Sequence, residues 1–177
     1  MKAKKRIVFV IDMQKDFIDG ALGTAEAQAI VPNVAARIQK EKAAGAMVVF
    51  TRDTHGEDYM DTLEGKLLPV PHCIKGSDGW AITPELAPLA EDALVVDKPT
   101  FGCTALPELI RPYVDGETEF LFLGLCTDIC VASNALILRA YFPGNRICIA
   151  PDCCAGVTPE SHAAALTTMG ACQIELA

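Results

Sequence analysis

A cysteine between a strand and a helix is the residue of this chain best placed for covalent chemistry. Cys130 follows the apolar run 120–123, which indicates a buried strand, and precedes residues 132–140, whose pattern is helical. A thiol at the start of a helix lies in the positive field of the helix dipole, which favours the nucleophilic thiolate. The pattern predicts cysteine chemistry at this position, and a buried core thiol is the alternative.

Two groups that such chemistry needs occur at the ends of other predicted strands. Asp12 ends the first strand, and Lys98 follows the third. Because ligands of a parallel sheet bind at the carboxyl ends of its strands, we expect both side chains near Cys130. There the thiolate would attack a carbonyl carbon, Asp12 would move the proton, and Lys98 would hold the carboxylate and the developing charge. A turn cap at Asp12 and a solvated lysine are the alternatives.

A second polar cluster begins where the second predicted strand ends. Asp53 and His55 are two residues apart, and His72 lies further along the same loop. A carboxylate and an imidazole at this spacing are typical metal ligands, and Glu64 is one of several acidic residues that could complete the set. Two solvated histidines are the alternative. The third histidine, His162, lies in a helical pattern and is predicted to be structural or exposed.

Six apolar runs alternate with helical patterns and predict a three-layer α/β/α sandwich. Most runs are continuous rather than alternating, as in strands that are covered on both faces, so we expect a six-stranded, mostly parallel sheet. The predicted strands are 6–12, 46–51, 93–97, 119–124, 146–150 and 172–176, and the predicted helices are 25–44, 130–141 and 159–169, the last ending at Gly170. Two long regions, 53–92 and 98–118, are predicted to be functional loops.

Length and composition restrict the class of protein. The 177 residues predict a single domain, 1–177, and 51% hydrophobic residues argue against disorder. A net charge of −8 disfavours nucleic-acid binding. No apolar run is long enough to span a bilayer, and residues 1–6 form a basic, solvated start rather than a signal peptide, so we expect a cytoplasmic protein. The eight cysteines are expected to be reduced.

Three sequence blocks resemble the signature blocks of the isochorismatase-like cysteine hydrolases. They are residues 10–17 (VIDMQKDF), 97–101 (DKPTF) and 124–131 (GLCTDICV), and they occur in the family's order. The resemblance implies that Asp12, Lys98 and Cys130 form a catalytic triad. It also implies a cis peptide between Leu125 and Cys126, with the backbone amides of Cys126 and Cys130 forming the oxyanion hole.

Within that family the long loop resembles the nicotinamidases, also called pyrazinamidases. This resemblance implies a metal site formed by Asp53, His55, Glu64 and His72. The commoner pattern has a second histidine soon after the first, whereas residues 56–61 of this chain contain none. Phe17 and Phe101 resemble the aromatic residues beside the substrate ring. Trp80 is expected either to close the loop over the substrate or to anchor the loop.

The implied reaction is hydrolysis of nicotinamide to nicotinic acid and ammonia through a cysteine thioester. A divalent metal, with Zn²⁺ expected ahead of Mn²⁺ or Fe²⁺, would orient the pyridine nitrogen. Other small amides or carbamoyl compounds are alternative substrates, and the sequence leaves open whether the chain forms a homo-oligomer. Two further alternatives are hydrolysis by a zinc-bound water with Cys130 in the core, and a redox-responsive protein that uses Cys126, Cys130, Cys153 and Cys154.

Overall fold

Six parallel strands form one sheet in the computed structural model, which describes residues 5–177. Their order across the sheet is β3-β2-β1-β4-β5-β6, so the two halves diverge between β1 and β4. The predicted six-stranded parallel sheet is confirmed. Of the predicted solvated start, residues 1–4 lie outside the described residues. The strands are β1 (Arg6–Ile11), β2 (Met47–Asp53), β3 (Leu94–Lys98), β4 (Glu119–Leu125), β5 (Ile147–Ala155) and β6 (Glu175–Leu176).

Helices cover both faces of the sheet and complete the predicted three layers. They are α1 (Lys15–Ile18), α2 (Ala25–Ala43), α3 (Leu63–Leu67), α4 (Ala87–Ala90), α5 (Leu106–Ile110), α6 (Ala132–Tyr141) and α7 (Pro159–Ala171). Two short 3-10 helices, Tyr59–Asp61 and Arg111–Tyr113, and a π-helical turn, Thr127–Val131, lie between them. No helix within residues 5–177 is long and apolar enough to cross a membrane.

Alternation along each strand divides the core into two layers. Phe9 of β1 belongs to the layer that contains Leu138 of α6, whereas its neighbour Val10 belongs to the layer that contains Val34 and Ile38 of α2. A strand that buries both faces must be apolar at every position, which explains the unbroken apolar runs in the sequence. The carboxyl ends of β1, β2, β3 and β4 therefore meet at one edge of a rigid sheet.

Several predicted boundaries were wrong, each for a tertiary reason. Helix α7 continues through Gly170 to Ala171, because its last turn packs Met169 into the core and nothing crowds the glycine. Strand β5 continues to Ala155, because its register shifts beside Gly124 and pairing with β4 resumes. Helix α6 begins at Ala132, since a π-helical turn precedes it. The last strand is confined to Glu175–Leu176. The predicted loops also contain short helices.

Candidate active site

Lys98 is the centre of a fully buried polar cluster at the carboxyl edge of the sheet. Its Nζ lies 2.6 Å from Asp12 Oδ2 and 3.3 Å from Asp53 Oδ1. The same atom donates to Cys130 Sγ at 3.5 Å and to the Thr100 carbonyl at 3.1 Å. The three predicted triad residues are therefore in mutual reach, and each comes from a different strand end or from the turn after β4.

The backbone of Asp12 turns the carboxylate out of β1 toward this cluster. Its φ of 48° lies in the left-handed region, which aspartate enters more readily than most residues. The hydroxyl of Thr51 donates to Asp12 Oδ1 at 2.7 Å, and the Asp12 N–H donates to the Thr51 carbonyl at 3.2 Å. Strand β2 thus fixes both the backbone and the side chain of Asp12.

Burial and charge give the three groups unusual proton affinities. The pKa of Asp12 is raised by burial, with Lys98 lowering it and Asp53 raising it further. Burial lowers the pKa of Lys98, but the charges of Asp12, Cys130 and Asp53 outweigh that effect and keep the ammonium protonated. A carboxyl group with a raised pKa binds a proton more readily than an ordinary carboxylate, which suits a group that must take up and return a proton.

Burial of Cys130 opposes the thiolate that the start of the helix favours. Burial raises the pKa of Cys130 well above its ordinary value, and Asp12 raises it further while Lys98 lowers it. Burial also raises the pKa of Cys126 to about 12. The field of a single helix start is smaller than the cost of charging a sulfur that is out of water. Nucleophilic attack by Cys130 therefore needs a proton acceptor at the moment of reaction.

The turn that carries Cys130 has the predicted backbone form. The peptide between Leu125 and Cys126 is cis, and the Val131 N–H donates to the Cys126 carbonyl at 3.1 Å to close the π-helical turn. Asn134, which sequence reasoning missed, holds this turn from α6. Its Nδ2 donates to the Cys130 carbonyl at 2.7 Å and to the Phe101 carbonyl at 3.0 Å. An asparagine four residues after the thiol, inside the predicted helix, was the signal available in the sequence.

The four predicted metal ligands converge on one point. Ligand atoms of Asp53, His55, Glu64 and His72 all lie within 4.8 Å of one another. The Nε2 atom of His55 lies 2.9 Å from Asp53 Oδ2 and 3.7 Å from Glu64 Oε1. Two imidazoles and two carboxylates suit Zn²⁺, Mn²⁺ or Fe²⁺, and three of the four residues are buried.

Hydrogen bonds around this cluster fix the orientation of its members. His72 Nδ1 lies 2.8 Å from the Val70 carbonyl, so Nδ1 donates and Nε2 is left to face the cluster. Burial raises the pKa of Asp53, but hydrogen bonds with His55 and His72 and the charge of Lys98 outweigh it and hold this pKa below its ordinary value. An ionised carboxylate beside two imidazoles in a fixed orientation fits a divalent cation.

Gln14 is a second residue that sequence reasoning missed. It is fully buried, its Oε1 accepts from the Asp53 N–H at 2.7 Å, and its Nε2 donates to the Asp53 carbonyl at 2.9 Å. The same Nε2 donates to the Trp80 carbonyl at 2.9 Å. Its position in the first sequence block, two residues after Asp12, was the available signal. Gln14 therefore connects β1, the backbone of a metal-site residue and the long loop.

A cavity of about 280 Å³ opens between the buried cluster and the metal-site residues. Cys126 and Cys130 line one side, and Asp53, Glu64 and His72 line another. Apolar residues form most of the remaining wall, which includes Phe17, Leu22, Leu68, Phe101, Ile129 and Val157. Phe17 also contacts His72, with ring centroids 5.4 Å apart. The thiol and the metal-site residues thus face the same small space.

Trp80 is not among the residues that line this cavity. Its indole Nε1 donates to Thr54 Oγ1 at 2.8 Å, and the Arg52 guanidinium lies 3.7 Å from the ring centroid. These contacts tie the long loop to the end of β2. These contacts agree with the loop-anchor alternative for Trp80.

The cysteines of the redox alternative are separated. Cys153 and Cys154 project to opposite faces of β5, each into a different core layer, and all eight cysteines are free thiols. Only Cys126 and Cys130 of that set line the cavity. The arrangement does not bring the four thiols to one place.

Comparison with known proteins identifies the family. The isochorismatase domain matches residues 6–177. Over 175 residues the chain is 31% identical to the uncharacterized isochorismatase family protein PncA of Bacillus subtilis (strain 168). The aligned region covers 92% of this chain and 93% of that protein.

Solved structures with the same fold include two that are named as nicotinamidases or pyrazinamidases. The nicotinamidase/pyrazinamidase PncA from Bacillus subtilis has a TM-score of 0.87 at 28% identity, over 98% of this chain and 99% of that one. The pyrazinamidase of Pyrococcus horikoshii in complex with zinc has a TM-score of 0.82 at 27% identity, over 97% of this chain and 98% of that one. The predicted resemblance is confirmed, and the chain belongs to the isochorismatase family of hydrolases.

Proposed function

We propose that this hydrolase converts nicotinamide to nicotinic acid and ammonia through a thioester on Cys130. The observation that carries the proposal is the shared cavity, which gives one small ligand access to the thiol and to the four-residue metal cluster. Nicotinamide has a carboxamide for the first group and a ring nitrogen for the second. The names of the two similar structures, nicotinamidase/pyrazinamidase and pyrazinamidase in complex with zinc, support the same substrate class.

The first half of the reaction forms the thioester. Asp12 takes the proton from the Cys130 thiol, and the resulting thiolate attacks the amide carbon. The backbone amides of Cys126 and Cys130 hold the oxygen of the tetrahedral intermediate, while Lys98 offsets the negative charge around the sulfur. The intermediate collapses when Asp12 returns the proton to the departing nitrogen, and ammonia leaves.

The second half hydrolyses the thioester and restores the thiol. Asp12, again ionised, takes a proton from water as the water oxygen attacks the thioester carbon. The same two amides hold the second tetrahedral intermediate. The carbon–sulfur bond then breaks, nicotinic acid is released, and the proton passes from Asp12 to Cys130.

Asp53, His55, Glu64 and His72 would hold a divalent metal. When bound there, the metal supplies a Lewis-acidic position for the ring nitrogen of the substrate. The apolar side chains of Phe17 and Phe101 flank the ring, so the protein itself sets the plane of the carboxamide relative to the Cys130 sulfur. This division of roles explains why the metal cluster and the thiol open into the same space.

The charge of the cavity supports an uncharged substrate. Within residues 5–177, no lysine or arginine lines it, and the charged residues that do are Asp53 and Glu64. A substrate carrying a carboxylate would have no cationic side chain to pair with there and would lose hydration on entry. Neutral aromatic amides fit this wall better than ureido or carbamoyl acids.

The test is ammonia release from nicotinamide, with metal content determined on the same preparation. We expect turnover and about one metal per chain in the wild-type protein. Cys130→Ala should lower kcat at least about 10³-fold, because it removes the sulfur on which the thioester forms, and should leave the metal content unchanged. Cys172→Ala, which removes a half-exposed thiol far from the cavity, is the matched control and should retain full activity.

Other outcomes separate the alternatives. Activity that a chelator removes but that survives in Cys130→Ala would establish hydrolysis by a metal-bound water and contradict the thioester. A metal-loaded, folded protein that releases no ammonia from nicotinamide but hydrolyses another neutral amide would keep the cysteine mechanism and replace the substrate. Protein that remains metal-free after incubation with zinc would refute the four-ligand site.

A further inference from the structure

The turn that carries Cys130 is attached on one side to helix α7. Thr127, the residue after Cys126, is fully buried, and its Oγ1 lies 2.8 Å from Nδ1 of His162. A second bond runs beside it, from the Val157 N–H to Asp128 Oδ1 at 3.1 Å. Two consecutive residues of the turn are therefore held by the loop between β5 and α7 and by the first turns of α7.

His162 has little freedom to move away from the turn. A Cβ atom added at Gly156 would lie 2.8 Å from the His162 backbone nitrogen, so the backbone of α7 packs directly against this glycine. Gly156 and Val157 also line the cavity. The capping box formed by Thr158 and Ser161 fixes the first turn of the helix, and Ser161 directly precedes His162. The imidazole is thus presented to Thr127 from a rigid support.

The opposite side of the turn is held by α6. Asn134 donates to the Cys130 carbonyl at 2.7 Å, as described above. The two anchors therefore hold the backbone next to each proposed oxyanion donor: Thr127 directly follows the Cys126 amide, and the bonded carbonyl belongs to Cys130 itself. Oxyanion stabilisation depends on donors that already point at the developing charge, so small displacements of either amide reduce the rate.

We infer that His162 is a positioning residue of the oxyanion hole, acting through the Thr127 hydroxyl. The inference rests on the proposed function, because it assigns the anchored amides their role in the transition state. It goes beyond the triad and the metal cluster by giving α7 a part in the chemistry. His162 itself touches neither the substrate nor the thiol.

Three variants test this role. His162→Phe keeps a ring of similar size but cannot bond to Thr127. His162→Asn places a polar atom near the position of Nδ1 and should restore part of the loss. Thr127→Val removes the same bond from its other end with little change of shape, and it decides the question if His162→Phe does not fold. Thr167→Val, on an exposed part of α7, is the control that should behave as wild type.

The readouts are kcat and KM for nicotinamide, and the Kd for pyridine-3-carbaldehyde. The Cys130 sulfur adds to the aldehyde carbon and the thiol proton passes to the oxygen, which gives a hemithioacetal whose oxygen occupies the oxyanion hole. We expect His162→Phe to lower kcat by about 10- to 100-fold, with KM changed less than about threefold. The affinity for the aldehyde should fall by a similar factor as kcat. His162→Asn should recover, on a logarithmic scale, at least about a third of the loss in kcat and of the loss in aldehyde affinity.

Combination of His162→Phe with Thr127→Val should cost no more than either change alone, since both remove one bond. Unchanged kcat and unchanged aldehyde affinity in folded His162→Phe would overturn the inference. So would a lower melting temperature with normal kcat per folded molecule, which marks a structural role only. Wild-type protein that does not bind the aldehyde would also overturn it. If the wild type binds the aldehyde through Cys130 but releases no ammonia, the proposed substrate fails, and aldehyde affinity still decides the role of His162.

Discussion

At the scale of single residues, Lys98 links the two halves of the site. Its ammonium contacts Asp12 and Cys130 on one side and Asp53 on the other. Burial lowers the pKa of Lys98, but the negative charges around it outweigh that effect and keep it charged, whereas burial raises the pKa of Asp12. A carboxyl group with a raised pKa can transfer a proton while the neighbouring ammonium stays charged and stabilises negative charge.

Replacing Asp12 with asparagine tests the proton-transfer role. Asn keeps the volume and tolerates the positive φ, so the fold and the Thr51 contact should remain. Asp12→Asn should lower kcat about 10³-fold, because an asparagine side chain cannot accept the thiol proton. Steady-state assays at neutral pH measure this change, with metal content as the control. Retention of more than a tenth of the wild-type kcat would contradict a base at this position.

Gln14→Leu tests whether the metal cluster depends on its hydrogen-bonded support. The substitution removes both contacts to the Asp53 backbone and the contact to the Trp80 carbonyl. We expect metal affinity to fall about 10- to 100-fold, because a ligand whose orientation is no longer fixed binds more weakly. Zinc titration against a competing chelator measures the affinity. Gln28→Leu, an exposed glutamine on α2, is the matched control. Equal zinc affinity in Gln14→Leu and wild type would refute the argument.

At the scale of elements, a glycine in β4 allows two strands to approach each other beside the site. Gly124 has a φ of 112°, and a Cβ at this position would lie 2.2 Å from the Ile11 carbonyl oxygen. The neighbouring residues along the two strands are Asp12 and Leu125. The absence of a side chain at Gly124 therefore lets Asp12 lie close to the turn that carries Cys130.

Gly124→Ala should destabilise the protein by about 2–4 kcal/mol, because it adds both a backbone clash and an unfavourable φ. Gly170→Ala is a control of opposite sign. That glycine lies inside α7 with nothing near its Cβ position, so alanine there should stabilise by about 0.5–1 kcal/mol. Chemical denaturation measures both changes. Equal stabilities for the two variants would show that the close approach at Gly124 is not restrictive.

At the scale of the whole molecule, charged side chains connect the amino ends of the strands to α2. Glu41, only 4% exposed, accepts from Arg6 at 2.7 Å and from Arg37 at 2.9 Å. Arg6 also pairs with Glu119, which accepts from Arg146 at 2.8 Å. This network lies at the edge of the sheet opposite the site and joins α2, β1, β4 and the start of β5.

The network predicts a specific loss of stability in acid. Burial raises the pKa of Glu41, but hydrogen bonds from Arg37 and Arg6 outweigh it and hold the pKa below its ordinary value of 4.5. A lowered folded-state pKa means that the contribution of Glu41 is complete above pH 4.5 and is lost as pH falls through the folded-state value.

Glu41→Gln should therefore lower the free energy of unfolding by about 1–3 kcal/mol at pH 7, and the difference from wild type should shrink as pH falls below about 4. Urea denaturation at a series of pH values measures it. Glu160→Gln, near the start of α7 and exposed, is the control. A difference that stays constant down to pH 3 would assign the effect to packing rather than to charge.

The sequence by itself determined the class of fold and the main chemical groups. Strands buried on both faces must be continuously apolar, so β1 and β4 can be predicted from local composition. Residues at strand ends are equally local features, which is why Asp12, Lys98 and Asp53 could be named as members of one edge. Helix ends were less predictable, as at Gly170, because packing of the neighbouring Met169 decides where the last turn stops.

Only the tertiary structure decided how the groups act on one another. The bonds from Gln14 to Asp53 and from Thr127 to His162 join residues 39 and 35 positions apart, and no spacing in the chain signals them. The raised pKa of Cys130 likewise depends on burial and on charges from three strands, and it opposes the thiolate preference that the local helix start predicts. Sequence patterns report local backbone preference, whereas proton affinity and hydrogen bonding depend on distances in space that folding alone sets.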